Sequence, residues 1–248
     1  MLILGIDTCT PRSSVALGTH EGVVASAALR QATGHGSFLT PAIAFCLAQA
    51  GAQAGDLTGI AVTLGPGLFT GMRVGIATAQ SLAHALRLPV VGLASLDVLA
   101  FGVRHARRPV CAVLDAKRKE LFWASYQPVP GGVQRVGDFR VGPAEKLAGE
   151  LEAGREDVLC VGDGATAHTL LLSGAGAEVC ASVGQAYPDA GGLVELATPR
   201  FVREETQRPE DLRPVYLRKA DARIGWRQRG VLAGGMVAAP GHGPGQAG

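Results

Sequence analysis

An apolar strand ending in an aspartate occurs twice in this chain, as Leu2-Ile3-Leu4-Gly5-Ile6-Asp7 and as Val110-Cys111-Ala112-Val113-Leu114-Asp115. The same series of elements follows each time. After the first, residues 13–18 and 23–29 read as strands joined by a turn at His20-Glu21-Gly22. A helix then runs from His35 to about Ala50, followed by a strand over 59–64, a helix over 70–87, a strand over 89–93 and a short helix over 95–103. After the second, Lys117-Arg118-Lys119 turns the chain into a strand over 121–126, and a third strand lies near 133–141. A helix (143–153), a strand (158–161) and a helix after Gly164 complete the echo.

Tandem repetition of a hairpin-led β-β-β-α-β-α unit predicts an α/β protein of two ribonuclease-H-like lobes, the architecture of actin-like ATPases and sugar kinases. Residues 1–103 form the expected first lobe and 104–218 a second, degenerate one. Residues 219–248 are rich in Gly and Pro and predict a mobile tail.

Charge is divided unevenly between the halves. Residues 1–103 hold four basic groups (Arg12, Arg30, Arg73, Arg87) and four acidic ones (Asp7, Glu21, Asp56, Asp97). So few charges predict that part of this lobe is covered by another chain. The helix from Pro41 onward, Pro-Ala-Ile-Ala-Phe-Cys-Leu-Ala-Gln-Ala, is apolar on nearly every face, whereas a solvated helix carries a polar stripe. The next helix sets Gly71, Gly75, Ala79 and Ala83 at intervals of four, a strip of small side chains suited to close helix approach. Either a partner buries the second side of these helices or they sit in a thickly covered three-layer core; on the first reading Ala42, Phe45, Gly71, Gly75 and Ala79 are the expected partner contacts. Charged substitution at Gly75 or Ala79 is expected to block pairing and leave the monomer folded.

Residues 65–75, Gly-Pro-Gly-Leu-Phe-Thr-Gly-Met-Arg-Val-Gly, place a Gly-rich turn between a strand and a helix, with Thr70 suited to cap the helix. Free backbone N–H groups at such a turn suit a phosphate, although the same pattern serves as a plain structural turn and no Walker-type Lys-Ser/Thr pair follows. Asp7, Gly65, Gly67 and Thr70 are therefore candidates for a vestigial nucleotide site. Asp7 and Asp115 are placed either to hold Mg²⁺-bound water or simply to cap the neighbouring turns. A metal pair on the helix after His35 would need a ligand four residues on, where Leu39 stands. No Gly-x-Ser-x-Gly elbow occurs, and the five cysteines form no C-x-x-C pair. The net charge of +2 and the absence of a leader or an unbroken apolar span predict a cytoplasmic chain with no membrane and no strong general affinity for nucleic acid.

The chain resembles the TsaB family, the dimerisation subunits of the bacterial machinery for threonylcarbamoyladenosine in tRNA. Ile-Asp-Thr at 6–8, His35 through Pro41 and the 65–75 signature carry the resemblance. So do Asp115-Ala-Lys-Arg-Lys-Glu120, Gly162-Asp163-Gly164, Tyr187-Pro188 and Pro214-Val215-Tyr216-Leu217-Arg218. It departs at Leu68 and Cys9, where the family usually has serine, and serine or threonine. The resemblance implies an actin-like ATPase fold shared with the catalytic paralogue TsaD, pairing with TsaD through the first-lobe helices, and recruitment of the small ATPase TsaE. It implies homodimers through the same surface when the chain is alone, and contact with tRNA through the complex. The activity implied for the assembly is transfer of threonylcarbamoyl from its adenylate to the adenosine beside the anticodon of tRNAs reading ANN codons.

The expected role is a non-catalytic scaffold that requires no cofactor and binds ATP or ADP weakly at most. The rival reading is a free-standing nucleotide-dependent enzyme of the actin-like or sugar kinase class. A peptidase ranks last, because no nucleophile–base or metal pair is present.

Overall fold

The computed structural model describes residues 1–30 and 34–218, which fall within one compact unit. Two five-stranded mixed sheets form its framework. In the first, the wholly buried strand β1 (Ile3–Asp7) pairs antiparallel with β2 (Arg12–Thr19) and parallel with β4 (Gly59–Thr63). β3 (Gly22–Arg30) and β5 (Val90–Leu93) close the edges. In the second, β6 (Val110–Lys117) is central, antiparallel to β7 (Glu120–Val129) and parallel to β9 (Leu159–Val161). β8 (Gly132–Gly142) and β10 (Glu178–Val179) lie outermost. The two ribonuclease-H-like lobes read from the sequence are these two sheets with their helices.

Alternation along each strand decides which layer a side chain enters. Leu4 and Ile6 point to the face covered by α1 (His35–Gln49) and α2 (Phe69–Leu86), and share a core with Leu39, Ala42, Cys46, Ile76 and Ala79. On the opposite face Ile3, Ala16 and Ala61 pack against α7 (Ala190–Val202) through Leu193, Val194 and Ala197. α3 (Ser95–Phe101) covers one face of the second sheet. α4 (Ala144–Gly154), α5 (Asp163–Ala167) and α6 (Thr169–Gly174) cover the other.

The expected division after residue 103 separates the sheets but not the layers. α7 belongs with the first sheet, and the chain beyond it stays there: Gln207 exchanges backbone bonds with Val90, Leu212 enters the first core, and Val215 N donates to Leu64 O at 2.8 Å. Half of the first lobe's covering thus comes from the far end of the chain. The expected mobile tail over 219–248 lies outside the described residues.

Candidate functional site

The expected phosphate turn is folded inward. Asp7 ends β1 with no exposed surface. Its Oδ1 accepts from Thr63 Oγ1 at 2.5 Å and from Cys9 N at 3.2 Å, while Oδ2 has no partner among the described residues. Burial pushes this carboxyl up to about 6, against the lowering effect of the two hydrogen bonds. Cys9 Sγ donates to Thr63 Oγ1 at 3.1 Å, and burial raises its thiol as well.

The turn over 65–67 packs on this strand end. A Cβ on Gly67 would collide with the Cys9 carbonyl, and one on Gly65, which has a φ of 97°, with the Met72 sulfur. Leu68 N donates to Cys9 O at 2.7 Å, and Ser95 donates to both turn carbonyls, N to Gly65 O at 2.8 Å and Oγ to Pro66 O at 2.5 Å. The glycines let one backbone approach another. Thr70 does not join them: α2 begins at Phe69 with Leu68 at its N-cap position, no side chain caps it, and Thr70 is exposed. The expected capping role is corrected accordingly: Leu68 O already accepts from Met72 N at 2.9 Å, so the helix starts at Phe69 and Thr70 lies inside its first turn.

A cavity of about 600 Å³ opens elsewhere, between β3 and α5. Arg12, Arg30, Asp163, Thr166, Ser182 and Tyr187 supply its polar lining. Arg12 is paired with Asp189 at 2.8 Å, and the Arg30 guanidinium sits 5.7 Å from the Tyr187 ring centroid. Asp163, raised mainly by burial, accepts from Asp115 N at 3.0 Å. Asp115 is different from Asp7: burial works upward on it, but Lys117 Nζ (2.6 Å) and Lys117 N (2.7 Å) hold it below the usual carboxylate range.

The two faces of α2 settle where the small-residue strip points. Gly71, Gly75, Ala79 and Ala83 are all buried. A Cβ on Gly75 would strike Thr8 Oγ1, which donates to Gly71 O at 2.7 Å. The strip serves approach to the chain's own sheet, so Gly71, Gly75 and Ala79 are not surface contacts, and neither is Ala42, only 5% exposed. Of the five expected contacts, Phe45 alone stands in solvent, at 51%.

A different set of side chains covers the outside. Pro41, Ala44, Phe45 and Ala48 are exposed on α1, and Ala77, Ser81 and Ala85 on α2. Between Gly36 and Leu86 the described residues of these helices carry one formal charge, Arg73. The small-residue strip of α2 thus faces the chain's own sheet, and other residues of the same helix face outward. Exposed positions at 77, 81 and 85, spaced by four like the buried strip, mark the outward side of the helix.

Sequence comparison places this geometry. Residues 17–226 match the family described as TsaD: tRNA N6-adenosine threonylcarbamoyltransferase. The chain is 30% identical over 232 residues to the tRNA threonylcarbamoyladenosine biosynthesis protein TsaB of Bacillus subtilis, covering 91% of this chain and 98% of that protein. The chain belongs to the TsaB family. The Escherichia coli TsaB is 29% identical over 231 residues, covering 92% and 98%. Among solved structures, YeaZ from Pseudomonas aeruginosa superposes with a TM-score of 0.74 at 30% identity, covering 87% of this chain and 99% of that one. The TsaB/YeaZ family is involved in tRNA threonylcarbamoyladenosine biosynthesis. Among the described residues of this TsaB-family chain, no three His, Cys, Asp or Glu side chains gather as a metal site, and no helix is long and apolar enough to cross a membrane.

Proposed function

We propose that this chain is a non-catalytic scaffold of the threonylcarbamoyl-transfer machinery, pairing with TsaD through the outward face of α1 and α2. In this reading TsaE joins the pair. The assembly transfers threonylcarbamoyl from its adenylate to the adenosine beside the anticodon of tRNAs reading ANN codons, in the cytoplasm. The same face closes a homodimer when the chain is alone. The observation that carries the proposal is that face: Pro41, Ala44, Phe45, Ala48, Ala77 and Ala85 lie exposed with almost no charge beside them. Helices presenting small and apolar residues over several turns are suited to packing against another helix pair.

The test is co-purification with TsaD. Ala77→Glu and Phe45→Glu each place a charge in the contact while leaving the core alone, and each is expected to abolish pairing without lowering the thermal midpoint. Pairing that survives both changes refutes the assigned face.

A second reading, a nucleotide-dependent enzyme, draws on the cavity between β3 and α5, where Arg30, Arg12 and Tyr187 could meet an anionic ring-bearing ligand. Against it stands the sealed Asp7, which has no exposed surface to offer a ligand in this conformation. We therefore assign no required cofactor and weak ATP or ADP binding at this cavity. Calorimetric titration with Mg-ATP separates the readings: micromolar affinity with turnover supports the enzyme, and weak binding without turnover supports the scaffold.

A further inference from the structure

Three stretches singled out in the sequence meet on one surface. Phe69 and Arg73 come from the first turns of α2, Tyr216 and Arg218 from the segment beyond α7, and Lys117 through Lys119 from the β6–β7 hairpin tip. Arg73 Nε donates to Tyr216 Oη at 2.9 Å, and its guanidinium carbon lies 3.8 Å from the Phe69 ring centroid. The two rings stand 5.6 Å apart, tilted by 32°. Arg218 donates to the Lys117 carbonyl at 3.0 Å and pairs with Glu120, which ties the hairpin to the segment that carries Tyr216.

This cluster differs from the α1–α2 face in chemistry. Phe69 and Tyr216 remain 47% and 44% exposed, although rings of this size are normally covered. Asp115 and Glu120 are committed to Lys117 and Arg218. Arg73 and Lys119 have no carboxylate partner among the described residues. Exposed aromatic faces beside unneutralised cations match a nucleotide: the base stacks on rings or on a guanidinium plane, and the phosphates meet the charges.

We propose that this strip is an RNA contact, taking an unstacked nucleotide of tRNA on the Phe69–Arg73–Tyr216 platform and its neighbouring phosphates on Arg73 and the hairpin tip. The inference rests on the reading of this chain as a subunit of a tRNA-modifying complex. It adds that the scaffold touches the substrate itself.

The experiment measures binding of labelled, unmodified tRNA transcript to the complex of the full chain with TsaD by fluorescence anisotropy, over a salt series. Tyr216→Ala and Arg73→Ala are each expected to weaken binding about tenfold, the usual loss for one stacked base. Lys119→Asn, an asparagine being tolerated at this φ of 63°, is expected to weaken it about threefold and to lower the salt slope by about one. Tyr216→Phe keeps the ring and should retain most affinity, which separates stacking from misfolding. Affinity unchanged within twofold for both alanine variants overturns the proposal. So does loss of TsaD pairing with normal tRNA binding by the complex that remains, since the strip is then a protein contact. If the wild-type chain fails to pair with TsaD, the scaffold reading falls; the same variants measured on the chain alone then decide the RNA contact separately.

Discussion

The two lobes repeat one plan and finish it differently. α1 and α4 occupy equivalent places after the third strand of their lobes. Each buries a normal inner stripe: Leu39, Ala42 and Cys46 in α1, and Ala144, Leu147 and Ala148 in α4. On the outside α4 carries Glu145, Lys146 and Glu152, whereas α1 carries Pro41, Ala44, Phe45 and Ala48. The aspartates at the ends of the central strands diverge in the same way. Asp7 is sealed and raised to about 6, while Asp115 is part-exposed and lowered by Lys117. Folding needs only the inner stripe, so the apolar outside of α1 and α2 is surplus to the fold, and it is this surplus that the proposed pairing would cover. The second lobe shows what the same element looks like when water is its neighbour.

The largest effect expected lies on the inner side of the first-lobe helices. Ala79 has no exposed surface and Gly75 touches Thr8, so Ala79→Glu and Gly75→Asp bury an unpaired charge and should cost more than about 4 kcal/mol. Neither variant should yield soluble, folded protein, as judged by circular dichroism and thermal unfolding. Folded variants of both that merely fail to pair would restore the sequence-based expectation and erase the distinction between the two sides of α2.

The sealed aspartate gives the next largest effect, and its sign is opposite to that of a salt-bridged acid. Its folded pKa of about 6 exceeds the unfolded value near 3.8, so the native state holds the extra proton between them. Stability contributed by the protonated carboxyl is fully present below about pH 4 and falls as pH rises to about 6, by about 3 kcal/mol. Asp7→Asn does not titrate and should flatten this descent. Asp97 and Asp163, also raised chiefly by burial, keep their own contribution in both proteins. Urea unfolding of the two proteins from pH 4.5 to 7 therefore reads Asp7 as a difference. Parallel curves would mean that Asp7 is hydrated in solution and that the turn over 65–67 opens.

The strands other than β10, which is only two residues long, were legible because each lobe's apolar runs are short, flanked by turns and repeated in order. β1 and β6 fall within a residue or two of where periodicity puts them. α7 was not legible. Its run Ala-Gly-Gly-Leu-Val-Glu-Leu-Ala-Thr-Pro-Arg-Phe-Val has two glycines in the first turn and Pro199 near the end, so helix propensity is weak. Packing of Leu193, Val194 and Ala197 on the first sheet supplies the stability that propensity withholds, and that partner lies far away in sequence. Asp189, whose side chain caps the helix by accepting from Gly191 N at 2.8 Å, was the local signal. The candidate site failed in a related way. Spacing by four identifies small residues that let something approach, but Gly75 meets Thr8 and Ile6, a fact of tertiary structure invisible in the helix itself.

The outward faces of α1 and α4 provide the last and smallest pair of expectations. Ala77→Glu should weaken association with TsaD at least about a hundredfold, some 2.7 kcal/mol, because the buried carboxylate would find no partner in an apolar contact. Glu152→Ala, on the solvated side of α4, should change pairing less than about twofold and stability by no more than about 0.5 kcal/mol. Both side chains are exposed in the isolated chain, so thermal unfolding of each variant should match the parent closely. Isothermal titration with TsaD then isolates the partner's effect from folding. If Glu152→Ala weakened pairing as much as Ala77→Glu, the polar helix of the second lobe would share the interface, and apolar exposure would no longer distinguish the covered lobe from the wet one.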